Sequence, residues 1–278
     1  MCFGFTLSGQ KEYVYQTFKD TRVINAQSTE ILPKRKLDFR IAHRFGDFAG
    51  DLGGWTNFYG LENAADVMIG FEYGITDNLM IGVNRTKGTG VLRQLVNTFF
   101  KYRLLRQGLN QGSPISLAIY GVSTASTAQK ASAENLLNSF SETAHRFSYT
   151  GQLIISRKFG EAFSLQLIGG VHHRNLVDFD DENTMLMAGA SAKYQFSKVF
   201  GLIVDFSLPF SDLRTSENGY YPALGFGFEF DTGGGHVFQF NLTNSQGIVE
   251  NDFLSNTQSN WGDGQYRLGF TISRWFNL

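Results

Sequence analysis

A single cysteine, Cys2, occurs in the 278 residues, which excludes an internal disulfide framework and any cysteine-built metal cluster. Proline is scarce at 4 residues, and no apolar run reaches the roughly 18 residues that a membrane-spanning helix needs. A formal net charge of −1 leaves no polybasic surface for nucleic acid and no acidic tail. There is no Cys-x-x-Cys-His haem attachment motif and no Gly-x-Ser-x-Gly nucleophile elbow, so neither a cofactor nor catalysis is expected. What is abundant is Gly, at 31, and Phe, at 27.

Those residues are spaced in a rhythm of two. At the carboxyl end Tyr266, Leu268, Phe270, Ile272, Phe276 and Leu278 share one parity, and Arg267, Gly269, Thr271, Ser273, Trp275 and Asn277 the other. A strand sends these sets to opposite faces, one suited to lipid and one to a wet lumen. The same alternation recurs at 36–45, 65–74, 79–86, 94–104, 115–123, 146–156, 163–174, 184–196, 200–210, 222–231, 236–243 and 265–278. The pattern predicts an all-β fold, a transmembrane antiparallel up-and-down barrel of about 12 strands in the bacterial outer membrane, with lipid as its partner.

The connections support this reading. Long links at 46–64, 124–145 and 244–264 alternate with short ones at 75–78, 157–162, 197–199 and 232–235, as extracellular loops alternate with periplasmic turns. The periplasmic link 105–114 is longer than that rule allows. Tyr73, Tyr102, Phe159, Phe163, Tyr194, Phe196, Phe200, Phe230 and Phe276 fall near the short turns, as an interfacial aromatic girdle does. Within the long loops, 128–140 and 246–254 carry short amphipathic helical patterns.

Residues 1–10 read as the remnant of a signal peptide. Residues 11–35 fit no membrane segment and form a periplasmic arm able to cap or plug the lumen, or to bind a periplasmic partner. The barrel proper is 36–278.

Thr21-Arg-Val-Ile-Asn-Ala-Gln-Ser28, Leu37-Asp-Phe-Arg-Ile-Ala-His-Arg-Phe-Gly46, Phe58-Tyr-Gly-Leu61, Tyr73-Gly-Ile-Thr-Asp-Asn78 and Lys101-Tyr-Arg-Leu-Leu-Arg-Gln107 resemble an uncharacterised family of Bacteroidetes outer-membrane β-barrels. His43-Arg-Phe-Gly46 is the most specific part. The resemblance implies an outer-membrane barrel and brings no catalytic residues with it.

By parity Asp38, Arg40, Arg44, Asp66, Glu72, Lys101, Arg103, Arg146, His172, Arg174, Lys193, Asp205, Glu229 and Arg267 face inward. Basic groups outnumber acidic ones, so a wide lumen would favour anions, whereas a narrow one would pair these charges with each other. His172 and His173 face opposite sides of their strand and cannot share a metal. Asp178, Asp180, Asp181 and Glu182 offer oxygens at close spacing, a weak calcium candidate without the glycine of an EF-hand loop. Two functions fit. One is a narrow or gated channel for small polar, including anionic, solutes. The other is a closed structural barrel, a subunit of a cell-envelope complex whose arm and long loops hold periplasmic or surface proteins.

Overall fold

The computed structural model describes residues 12–133 and 136–278; the expected signal-peptide remnant, 1–10, lies outside them. Its strands are β1 (Lys36–Phe45), β2 (Ala64–Gly74), β3 (Leu79–Thr86), β4 (Leu95–Leu105), β5 (Ser116–Ser126) and β6 (Phe147–Phe159). They continue as β7 (Phe163–Arg174), β8 (Thr184–Gln195), β9 (Phe200–Phe210), β10 (Ala223–Asp231), β11 (His236–Thr243) and β12 (Arg267–Asn277). Each pairs antiparallel with its neighbours in sequence, and β1 closes on β12 from Lys36↔Asn277 to Arg44↔Gly269. Closure leaves no unpaired edge, the condition for crossing a bilayer with strands.

Alternation sorts the side chains as the sequence predicts. On β2, Ile69 and Phe71 are exposed on the outer surface while Met68 and Glu72 are buried inside. Along the tight-turn rim Phe200 lies 5.4 Å from Phe196, 5.3 Å from Phe228 and 5.0 Å from Phe230, ring centre to ring centre. These stacks form an arc of the expected girdle.

Differences from the sequence reading have local causes. β5 runs on to Ser126 because Thr124 pairs with Ser148 and Ala125 with Phe147; small residues carry no hydropathy contrast, so the periodicity fades where the ladder does not. β12 begins only at Arg267, because Gln265 and Tyr266 are used by the preceding loop: Gln265 accepts from the Asn260 amide, and Tyr266 stacks on Trp261. Among the described residues of 128–140 there is a short 3-10 turn, Leu137–Ser139, and 246–254 holds a single turn, α1 (Glu250–Phe253).

The over-long link between β4 and β5 has a partner. Val14 N donates to Gln107 O and Leu109 N to Glu12 O, both at 2.9 Å. The link is extended because it receives the start of the arm.

Candidate functional site

The lumen is filled from both mouths. From the end carrying the tight turns, the arm climbs inside, reverses through a turn closed by Val23 N to Ala26 O and Ser28 N to Thr21 O, each 2.9 Å, and descends to β1. Residues 17–29 are buried throughout. From the other end the β11–β12 loop folds inward, burying Ile248, Val249, Phe253 and Leu254. The two pieces meet where Gln27 Nε2 donates to Glu250 Oε1 at 3.1 Å, with Arg22 3.9 Å from the same carboxylate. Around them Met80, Phe99, Tyr120, Ile154, Ile168 and Met187 of the wall pack against Ala26, Ile31, Leu32, Phe253 and Leu254.

A lone hairpin inside a barrel has backbone groups that no strand satisfies, and buried backbone groups must find partners. Inward side chains supply them. Lys101 Nζ donates to Thr21 O at 2.7 Å, Gln166 to Gln27 O at 2.7 Å, Gln239 to Arg22 O at 3.0 Å and Ser164 to Thr17 O at 2.7 Å. At the tip, Asp205 accepts from the Asn25 and Ala26 amides at 2.5 and 2.9 Å and from Asn25 Nδ2 at 3.0 Å. Gly225 makes room for this: a Cβ there would lie 2.8 Å from Asp205 Oδ1 and 3.0 Å from Ile24 Cγ2. Arg44 joins both pieces of the plug, donating to Asn25 Oδ1 at 2.9 Å and to Ser245 O at 3.0 Å. The Thr21–Ser28 and His43–Gly46 motifs, separate in sequence, therefore meet at the hairpin tip.

Arg40 anchors the arm lower down. It grips Asp20 with both terminal nitrogens, at 2.7 and 2.5 Å, and lies 2.9 Å from Asp38 and 3.3 Å from Glu72. Thr21 Oγ1 donates to Glu72 at 2.8 Å. A forked guanidinium on a carboxylate gives directional, charge-assisted bonds, and here it ties arm to wall.

Most of the remaining inward charges also have hydrogen-bond partners within the protein; Lys193 and Glu229 face each other without one. Arg103 donates to Asp77 O at 2.6 Å, Arg146 to Ala128 O at 2.8 Å and Arg267 to Ser259 Oγ at 2.8 Å. Asp66 accepts from the Ile248 amide at 3.1 Å, and Glu229 lies 3.8 Å from Lys193. His172 bonds Thr150 inside the barrel while His173 bonds Thr184 outside it. Ser148 donates to Asn251 of the plug loop.

At the calcium candidate, Asp181 and Glu182 make contacts with neighbouring loops. Asp181 is bound by Arg214 at 2.5 and 2.6 Å and by Arg174 at 2.8 Å, and Glu182 accepts from Ser211 and the Asp212 amide. Burial opposes the charge on Asp181, but the hydrogen bonds from Arg214 and Arg174 outweigh it and hold the carboxyl at about 2. Two of the four acidic residues, Asp181 and Glu182, are engaged in loop-to-loop contacts.

Asp252, which with Glu250 reads in the sequence as a weaker acidic pair of the same kind, is buried in α1 with Oδ2 unpartnered. Burial, reinforced by the Asp66 carboxylate, pushes it up to about 8. Its folded value lies above the ordinary value of 3.8, so the inserted loop binds a proton that the released loop gives up. Insertion is strongest at low pH and weakens as pH climbs toward about 8. Hydrogen exchange of residues 245–257 should therefore accelerate between pH 6 and pH 8 beyond the intrinsic rate (about tenfold per pH unit at most). Asp252→Asn should flatten that dependence; an unchanged slope would assign it elsewhere.

A family model described as a membrane-bound beta barrel domain, DUF5777, matches residues 18–276. No curated protein matches the sequence. Among solved structures, the KdgM porin in complex with disordered oligogalacturonate is similar at 6% identity and a TM-score of 0.50, covering 87% of this chain and 99% of that one. An outer membrane channel from Pseudomonas putida F1 is similar at 14% identity and a TM-score of 0.50, covering 89% and 98%. The NanC porin reaches 9% identity and a TM-score of 0.49, covering 87% and 100%. At such identities the likeness is one of fold.

Proposed function

Because the chain belongs to the DUF5777 family of membrane-bound beta barrel domains and is an outer-membrane protein, we propose that it is a gated channel for small polar solutes. Anions are favoured, and the resting state is closed by its own arm and β11–β12 loop. The observation that carries this reading is how the arm is attached. Inside the lumen it joins no strand of the wall; side chains such as Arg40, Lys101, Gln166 and Asp205 hold it, and water can replace each of those contacts as the arm leaves. With Asp20 withdrawn along with the arm, the wall keeps Arg40, Arg44, Lys101, Arg103, Lys193 and Arg267 facing Asp38, Asp66, Glu72, Asp205 and Glu229, and Arg146 adds positive charge at the outer rim, where Arg174 is balanced by Asp181. That balance favours anions.

The latch at the tip gives the test. Asp205→Asn removes the charge from three hydrogen bonds, a loss of about 2–4 kcal/mol. In planar bilayers the variant should open about 30-fold or more as often as the parent protein, with a reversal potential on the anion side in a salt gradient. Equal, vanishing activity in both would turn the reading to the closed structural barrel. The exposed Leu52 and Trp55 of the 46–64 loop and Phe179 of the β7–β8 loop favour that second reading as surfaces for a partner protein. Stoichiometric protein companions after mild detergent extraction would then be expected.

A further inference from the structure

Below Phe18 the lumen opens into a cavity of about 620 Å³, bounded by Tyr15, Gln16 and Lys19 of the arm and by the β6–β7 and β8–β9 turns. Among the described residues, Lys19, Lys158, Lys193 and Lys198 line it, against Glu161 and Asp231. The amines have little to bind. Lys193 is 2% exposed, and its nearest carboxylate oxygen, Glu229 Oε1, is 3.8 Å away, too far for a hydrogen bond. That oxygen has no partner of its own. Lys193 otherwise sits under the Phe18 ring at 5.8 Å, while Lys19 donates to Lys198 O at 2.6 Å and stands 3.9 Å from Asp231. Among the described residues, Lys158 and Lys198 enter no ion pair. An ammonium carries three donors and is poorly placed in a buried site without acceptors.

We propose that this vestibule binds a small multivalent anion, bearing phosphate or several carboxylates, that enters from the periplasm. The volume suits a ligand of that size. The walls are lumen-facing residues, turns and the arm, so the route in is through water and not through lipid. One side of the cavity is the arm itself, present only when the barrel is plugged. The anion bridges Lys19 of the arm to Lys158, Lys193 and Lys198 of the wall, and a ligand that binds only the plugged form stabilises that form. The vestibule is thus a site where an anion closes the gate, a consequence that rests on the channel reading, whereas the binding itself does not.

Inorganic pyrophosphate is the probe. Calorimetry on the full chain in zwitterionic detergent at low salt should give saturable binding of one anion per barrel. Lys158→Gln with Lys198→Gln, both at the accessible rim, should weaken it about tenfold or more while leaving heat-modifiable gel mobility unchanged. Residues 15–19 should gain hydrogen-exchange protection on binding. Heats that never saturate, or an affinity that the double variant leaves unchanged, would overturn the proposal. No current is measured, so a negative result leaves the channel reading standing, and a silent bilayer leaves this site standing.

Discussion

A chain beginning at Pro33 is expected to conduct almost continuously where the full chain stays shut. The barrel ladder from β1 to β12 takes no strand from the arm, so its hydrogen bonds close without it. What the arm contributes lies inside: Asp20 on Arg40, the Asn25 and Ala26 amides on Asp205, and the carbonyls held by Lys101, Gln166 and Gln239. Charge-assisted contacts contribute about 1.5–3 kcal/mol each. The Arg40 and Asp205 contacts alone are then enough to keep the open form below about one part in a hundred. Single-channel recording should show long openings for the shortened chain and brief, rare ones for the parent. Circular dichroism and heat-modifiable mobility would confirm that the barrel itself has formed. A folded but silent shortened barrel would mean that the β11–β12 loop closes the lumen unaided.

The second large effect is at Arg40. This side chain is 1% exposed and faces Asp20, Asp38 and Glu72. Arg40→Ala leaves three buried carboxylates without their guanidinium partner, and breaking a buried pair in this way costs about 3–5 kcal/mol. The variant should lose its folded gel mobility at a markedly lower temperature. Adding Asp38→Asn should restore part of the loss, since one uncompensated charge disappears with it. If Arg40→Ala melts with the parent, the arm is not anchored through this residue.

The barrel was legible because a membrane imposes a simple rule. Lipid on one side and polar groups on the other force a two-residue period, and Phe226, Phe228 and Phe240 sit on the outer surface as that period requires. Inward charges followed from the same parity, and Asp38, Arg40 and Lys101 all face the interior. Their partners were not legible. Asp20 meets Arg40 across 20 residues and Asn25 meets Asp205 across 180, and nothing periodic marks an irregular hairpin as the occupant of a lumen. The Thr21–Ser28 motif was the available signal: a polar, turn-forming sequence beside the first strand, distinctive without any alternation of its own. Asp181 shows a partner of another kind. Its acidic neighbours suggested a cation, but the cations are the guanidinium groups of Arg174 and Arg214, one of them on a different loop.

The hairpin enters and leaves by one mouth. Its beginning pairs with the β4–β5 link and its end runs into β1, beside Gly74, where a Cβ would meet Pro33 O. Such a segment is tucked in and not threaded, so no seam of the wall has to unzip for it to come out. The wall can therefore be assembled and sealed in the bilayer first, with the stopper seated afterwards from the aqueous side. On the proposed channel reading, withdrawal and reseating would form a reversible cycle that leaves the surrounding cylinder intact.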